Sequence, residues 1–294
     1  MARPPAGSVG GAPSPETGSG TNAKQAEGVD QKQDHLRQDW RQYCSAIGAM
    51  VKSALHQDRL LFAFQPVVCA ATGKVDYFEC LLRMRDEHGN IVRSAEFIPA
   101  VEHTGLIGLI DRFALEKTVD ELGADPDVIL GLNVSGLTAC DRQWLRSLMS
   151  RLRERPDLGC RLVVEITETA ALFDIEETVR FVDTLREAGC RVALDDFGAG
   201  HTSLRHLQAL AVDIVKIDGS FVRNLTDSAE SPIFLRHLVG LTKSFGLSTV
   251  AECVESAKDA ELLRAEGIGY LQGFYLGAPT TERPWSGQSA ERIS

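Results

Sequence analysis

The sequence has no apolar run approaching the ~20 residues that cross a bilayer. Its N-terminus also lacks the apolar core that a signal peptide needs. Both absences predict a cytoplasmic protein with no membrane insertion. Paired cysteines are missing too. The seven cysteines (44, 69, 80, 140, 160, 190 and 253) are scattered, odd in number and without a C-x-x-C pair. That fits a reducing cytoplasm better than a disulfide scaffold or a zinc site. Positive charge is in deficit: 31 Lys and Arg against 41 Asp and Glu leave a net charge of -10. This argues against a polynucleotide or an anionic membrane surface as the main partner. A small phosphate ligand stays open, because metals can bridge an acidic site to an anion.

What is present divides the chain into unequal parts. Residues 1–33 are rich in Gly, Pro, Ala and Ser, with almost no large apolar side chain. Such a segment cannot offset its ordering entropy and is predicted to be a disordered tail or linker. Asp34 can cap a helix over 34–58, where Leu36, Trp40, Tyr43, Ile47, Met50, Val51, Ala54 and Leu55 share one face. The main domain is predicted over 59–281, with a C-terminal tail at 282–294.

Within that domain, short apolar runs recur at 61–68, 75–82, 128–134, 162–166, 192–194, 214–217, 248–251 and 269–274. Helical patterns at 107–122, 144–152, 175–188, 233–245 and 257–265 separate most of them. Only the first pair is joined by a short turn, containing Thr72-Gly73, and such a turn joins antiparallel strands. The remaining alternation predicts parallel strands. About eight strands over ~220 residues suit a closed α/β fold, a TIM-like (β/α)8 barrel. An open doubly wound sheet is the competitor, weakened because no G-x-G-x-x-G follows any run.

Polar residues fall where these runs end: Glu79, Asn133, Glu165 with Glu168, Asp195-Asp196, Lys216, Glu252 and Gln272. In a barrel the C-terminal strand ends converge on one face, where active sites sit. Oxygen ligands without histidine suit magnesium, manganese or calcium rather than zinc. Two cations balance about five carboxylates better than one, and suit in-line attack on a phosphodiester. Each residue alone has a plain alternative. Asp195 can be a helix N-cap, and Lys216 with Glu165 can be a buried ion pair. The adjacent Asp195 and Asp196 point to opposite faces unless the backbone turns between them; Gly198 and Gly200 are the candidates for that turn.

Over about residues 60–279 the sequence resembles the EAL family of cyclic-di-GMP phosphodiesterases. The resemblance is carried by Phe64-Gln65-Pro66, Glu79-Cys80-Leu81-Leu82-Arg83, Ala95-Glu96-Phe97-Ile98-Pro99 and Asn133-Val134-Ser135. It continues through Glu165-Ile166-Thr167-Glu168, Asp195-Asp196-Phe197-Gly198, Lys216-Ile217-Asp218, Ala251-Glu252-Cys253-Val254-Glu255 and Gln272-Gly273-Phe274. It implies a barrel with one antiparallel strand and hydrolysis of cyclic di-GMP to linear pGpG with two Mg2+ or Mn2+ ions. Glu79, Asn133, Glu165 and Asp195 would hold the first ion, and Asp195 and Asp196 the second. Lys216 would orient the attacking water, Glu252 would act as base or water-mediated metal partner, and Gln272 would position the water network. Gln65 and Arg83 would contact substrate, and Glu168 would brace the loop after Asp196. The resemblance also implies a homodimer through residues 196–204.

The chain departs from the family at Cys80, Met84, His201-Thr202, Cys253 and Ala278. Met84 stands where a tryptophan near substrate is frequent. None of these departures removes an implied metal ligand. A catalytically silent cyclic-di-GMP receptor or protein-interaction module is the alternative, and a barrel enzyme of the metal-enolate type is a third reading with little support. No Gly-Gly-Asp-Glu-Phe cyclase signature is present.

Overall fold

The computed structural model describes residues 20–285 except 103, 140, 199–203, 224 and 226–230. Its strands are β1 (Leu60–Cys69), β2 (Val75–Arg85), β3 (Ile91–Arg93), β4 (Leu130–Val134) and β5 (Leu162–Thr167). They continue with β6 (Arg191–Phe197), β7 (Ile214–Ile217), β8 (Ser248–Ala251) and β9 (Tyr270–Leu271). Eight of them close a ring in the order β1-β9-β8-β7-β6-β5-β4-β2, completed by β1 against β2. β1 is antiparallel to both its neighbours, and the other ring pairs are parallel. The fold is the expected TIM-like barrel with one antiparallel strand.

β3 lies outside the ring, antiparallel to β2, and was not anticipated. Its hairpin is made by Asp86, whose carboxylate accepts from the backbone N–H groups of His88 and Asn90, both at 2.8 Å. Gly89 completes the turn at φ 85°. An Asp closing onto its own backbone before a Gly is a legible turn signal.

The period of two along each strand divides the interior. Val67, Tyr77, Val163, Ala193, Ile214 and Val250 form one buried apolar cluster, with Ile129 and Tyr270 packed on it. Two residues further along the same faces come Glu79, Gly131, Glu165, Asp195, Lys216, Glu252 and Gln272. On the reversed β1, Gln65 stands two residues before Val67. The alternate residues, among them Leu132, Val164, Leu194 and Val215, face outward into a larger core shared with the helices.

The five expected helices are present as Leu106–Ala124, Arg142–Glu154, Ile175–Glu187, Ser231–Ser244 and Ala257–Ala265. Arg142–Glu154 starts at an Asp141 cap that accepts from Gln143 N–H at 2.7 Å. It buries Trp144, Leu148 and Leu152, spaced by four. Short helices at Ser94–Val101, Gly136–Ala139, Glu168–Phe173, Leu204–Leu210 and Gly219–Arg223 occupy connections where the sequence shows no helical pattern. They are too short to show a periodic apolar face.

The boundaries at both ends shift. The N-terminal helix is Gly20–His56 rather than 34–58. Residues 22–33 contain Ala, Lys, Gln and Glu, which sustain a helix without an apolar face. The chain forms two compact units, divided after Ala46. In the first, Trp40 and Tyr43 are exposed and stack at 5.5 Å. In the second, Val51 and Ala54 are fully buried. The barrel unit also runs past 281. Trp285 packs on Phe64 and Phe78 at 4.7 and 5.2 Å, and Arg283 pairs with the buried Glu121. An aromatic ring with a surface to cover and a cation with a buried acid hold this segment down. Among the described residues, no helix is long and apolar enough to cross a membrane.

Candidate active site

Strand register places the polar residues side by side. Glu79 on β2 stands opposite Gly131 on β4, Asn133 opposite Glu165 on β5, and Thr167 opposite Asp195 on β6. Asn133 donates to Glu79 Oε1 at 2.6 Å. Gln272 donates to Glu79 Oε2 at 2.6 Å and to Gln65 at 3.3 Å. Gln65 in turn donates to the Gly277 carbonyl at 3.2 Å.

Lys216 is the hub of the cluster. Its Nζ lies 2.6 Å from Glu165, 2.9 Å from Glu252 and 3.2 Å from both Glu79 and Asp195. The side chain is fully buried. Burial alone would favour the neutral amine, but Asp195, Glu165, Glu252 and Glu79 hold the ammonium, with its pKa well above the usual lysine range.

The carboxylates respond to the same crowding. Burial raises Glu165 well above the carboxylate range despite Lys216, with Glu79 and Asp195 adding repulsion. Asp195 is raised for the same reasons. Burial pushes Glu252 up to about 8. Glu79 moves the other way: burial raises it, but Lys216 and the hydrogen bonds from Gln272 and Asn133 outweigh that.

Asp195 and Asp196 are brought together by a break in the β6 ladder between Leu194 and Phe197. Asp196 itself supplies the turn at φ 56°. Its N–H donates to Asp195 Oδ1 at 2.9 Å. The turn is therefore made at Asp196, two positions before Gly198. The N-cap reading of Asp195 fails, because the next helix begins at Leu204. The side chain of Asp196 is exposed. Desolvation of its carboxylate, then Asp195 and Asp218, push it up to about 6.

Arg83 and Glu168 stand apart from the cluster. Arg83 is buried, donates to the Leu82 carbonyl at 2.9 Å, and has no carboxylate in ion-pair reach among the described residues. Glu168 is buried and accepts from Gly198 N–H at 3.0 Å, holding the chain just beyond Asp196. Met84 does not face this site. It is fully buried in the outer core, because alternation turns it away from Arg83. His201 and Thr202, and most of the expected dimer segment at 196–204, lie outside the described residues.

Two further residues support the site. A Cβ on Gly131 would lie 2.5 Å from Glu165 Oε1 and 2.9 Å from the Tyr77 ring, so only glycine leaves Glu165 its place. Asp111 accepts from Ser135 Oγ at 2.5 Å and Thr138 Oγ1 at 2.6 Å, fixing the turn after Asn133. An acid on the apolar face of the Leu106–Ala124 helix, between Ile110 and Ala114, was a readable signal. A cavity of about 500 Å3 opens beside the cluster, walled by Glu79, Asn133, Asp195 and Asp196 and by the apolar Ile98 and Pro99.

The donor set fits a hard divalent cation. Ligand oxygens of Glu79, Glu165 and Asp195 lie within 4.8 Å of one another, as do those of Asp195, Asp196 and Glu252. Glu165 Oε1 and Gln272 Oε1 are buried with no hydrogen-bond partner. Burying an oxygen without a donor is costly, and a cation removes that cost.

The comparisons with known proteins agree with this geometry. The family model described as EAL domain matches residues 49–279. The cyclic di-GMP phosphodiesterase PdeL of Escherichia coli is 32% identical over 220 residues, covering 73% of this chain and 61% of PdeL. PdeB of Shewanella oneidensis, likewise named a cyclic di-GMP phosphodiesterase, is 31% identical over 250 residues, 83% of this chain and 29% of PdeB. The chain thus spans less than two thirds of these relatives' lengths. Among solved structures, the FimX EAL domain from Pseudomonas aeruginosa bound to c-di-GMP aligns with a TM-score of 0.75 at 27% identity. That alignment covers 80% of this chain and 97% of that one. The chain belongs to the EAL domain family.

Proposed function

We propose that the chain is a metal-dependent phosphodiesterase that hydrolyses cyclic di-GMP to linear pGpG in the cytoplasm, acting as a homodimer. The observation that carries this reading is the Lys216 hub. Lys216 meets four carboxylates (Glu79, Glu165, Asp195 and Glu252), and Asp196 adds a fifth acid beside Asp195 and Glu252, so the acids outnumber the one ammonium by four. A module that only bound nucleotide would gain nothing from so costly a cluster.

The residues divide the work. Glu79, Asn133, Glu165 and Asp195 would hold one Mg2+ or Mn2+, and Asp195 with Asp196 a second. Such ions polarise a phosphoryl oxygen and make hydroxide available near neutral pH. Lys216 orients the attacking water, since four carboxylates fix its Nζ. Glu252, near a pKa of 8, can hold or release a proton around neutrality. Gln272 positions the water network through its bonds to Glu79 and Gln65. The unpaired Arg83 guanidinium can grip two phosphate oxygens at once, with Gln65 beside the substrate. Glu168 holds the loop that carries Asp196 in place.

The test is Glu79→Ala, compared with wild type in two assays. The expected result is loss of pGpG formation with cyclic di-GMP binding retained in chelator. Wild-type protein that binds the nucleotide but turns over none with either metal would instead make the chain a receptor.

A further inference from the structure

Away from the barrel mouth, the helices Arg142–Glu154 and Ile175–Glu187 flank a groove. One cavity of about 310 Å3 is lined by Leu145 and Phe181 at its floor and by Arg142, Arg146 and Arg180. Further along the same helices, a second of about 430 Å3 is lined by Met149, Leu152, Arg153 and Ala188. Residues 142, 145–146, 149 and 152–153 mark successive turns of one helix face, and 177, 180–181, 184 and 188 mark those of the other. The two cavities thus follow one another along the seam, and the arginines stand exposed beside them.

The charge lining the two cavities runs against the rest of the molecule, with Arg142, Arg146, Arg153 and Arg180 against Asp141 and Glu177. The Ile175–Glu187 helix as a whole carries four carboxylates and two arginines. The Arg142–Glu154 helix carries four arginines and one carboxylate, in a chain with a net charge of -10. The two acids of the rim are already engaged. Asp141 caps its helix, and Glu177 pairs with Arg180 at 2.6 Å. Among the described residues, Arg142 and Arg146 have no carboxylate within ion-pair distance. An exposed basic rim over a recessed apolar floor matches a ligand that is apolar on one face and acidic on its flanks.

We propose that this groove docks an acidic amphipathic helix of a partner protein. The 13-residue helix beside it is ~20 Å long, room for about three to four turns of a partner. The partner's apolar residues at i, i+4, i+7 and i+11 enter the two cavities, and its acids meet Arg142, Arg146 and Arg153. A membrane would meet the arginines but could not fill recessed cavities, and DNA offers no apolar face to the floor. The proposal is independent of the reaction at the barrel mouth, so failure of one leaves the other standing.

The test uses the full chain and fluorescence anisotropy. The probe is a fluorescein-labelled synthetic helix with leucine at i, i+4, i+7 and i+11 and glutamate elsewhere. A scramble of equal composition, phosphatidylserine vesicles and a short DNA duplex serve as comparisons. The patterned peptide is expected to bind at least about tenfold tighter than the scramble, since docking needs the apolar periodicity. The double variant Arg142→Glu, Arg146→Glu is expected to weaken it at least about tenfold, because charge complementarity is inverted. Both substitutions are on exposed side chains, and turnover at the barrel mouth should be unchanged. Equal binding of peptide and scramble, undiminished binding by the double variant, or retention of vesicles or duplex in place of the peptide would overturn the proposal.

Discussion

The barrel interior holds two layers two residues apart on the same strands, and they solve opposite problems. The lower layer, from Val67 and Tyr77 round to Val250, is buried and largely apolar, and its stability is packing. The upper layer, from Glu79 round to Glu252, buries four acids around one lysine. Such a network is weak evidence of stability, because desolvation offsets the attraction between its charges. The difference teaches that one fold supplies both a foundation and a site by alternating nothing but side-chain chemistry at a spacing of two.

The largest break in that comparison should come from Lys216→Met. It leaves four buried acids without their cation, and removing one partner of a buried charge network costs about 3–5 kcal/mol. Turnover should be lost. The stability deficit should depend on pH with a definite sign. Glu165 and Asp195 are raised when folded, so the folded state takes up protons that the unfolded state does not. Stability of the variant should therefore recover as pH falls toward 5 and worsen toward 8. Thermal melts across that range check it; a pH-independent deficit would contradict the charge account.

A similar loss of stability without a loss of metal affinity is expected from Ile214→Ala in the lower layer. Truncating a buried isoleucine costs about 2–5 kcal/mol in packing and cavity energy. Calorimetric titration with Mn2+ should show nearly unchanged affinity, because Ile214 touches none of the charge chemistry. Loss of metal affinity equal to that of an upper-layer variant would show that the layers are not separable.

Gly131→Ala sharpens the boundary between them. Its Cβ would meet both Glu165 from above and Tyr77 from below. Overpacking of this kind costs about 1–3 kcal/mol. Unlike Ile214→Ala, it should also lower Mn2+ affinity, since Glu165 must move. Wild-type affinity in a destabilised Gly131→Ala protein would remove Glu165 from the ligand set.

Much of this comparison was legible in the sequence, for a physical reason. Parallel barrel strands buried on both faces read as short apolar runs, and a charge at the end of such a run stands out against them. That is how Glu79, Glu165, Asp195 and Lys216 could be singled out one by one. Their mutual contacts are not legible, because they depend on the register of four separate strands. The turn between Asp195 and Asp196 was misplaced by reading it from Gly198. A non-glycine at φ 56° is uncommon, and composition does not announce it. Asp111 and Gly131 were missed because their partners, Ser135 with Thr138 and Glu165, lie far from them in sequence. At the N-terminus the apolar stripe marks only part of the helix, and helix propensity alone extends it to Gly20.

The most direct test is chromatography of cyclic di-GMP after incubation with the purified chain in Mg2+, in Mn2+ and in chelator. The account predicts pGpG in the metal-containing reactions and intact cyclic nucleotide in chelator. Intact nucleotide with either metal, or equal pGpG with and without chelator, would contradict it.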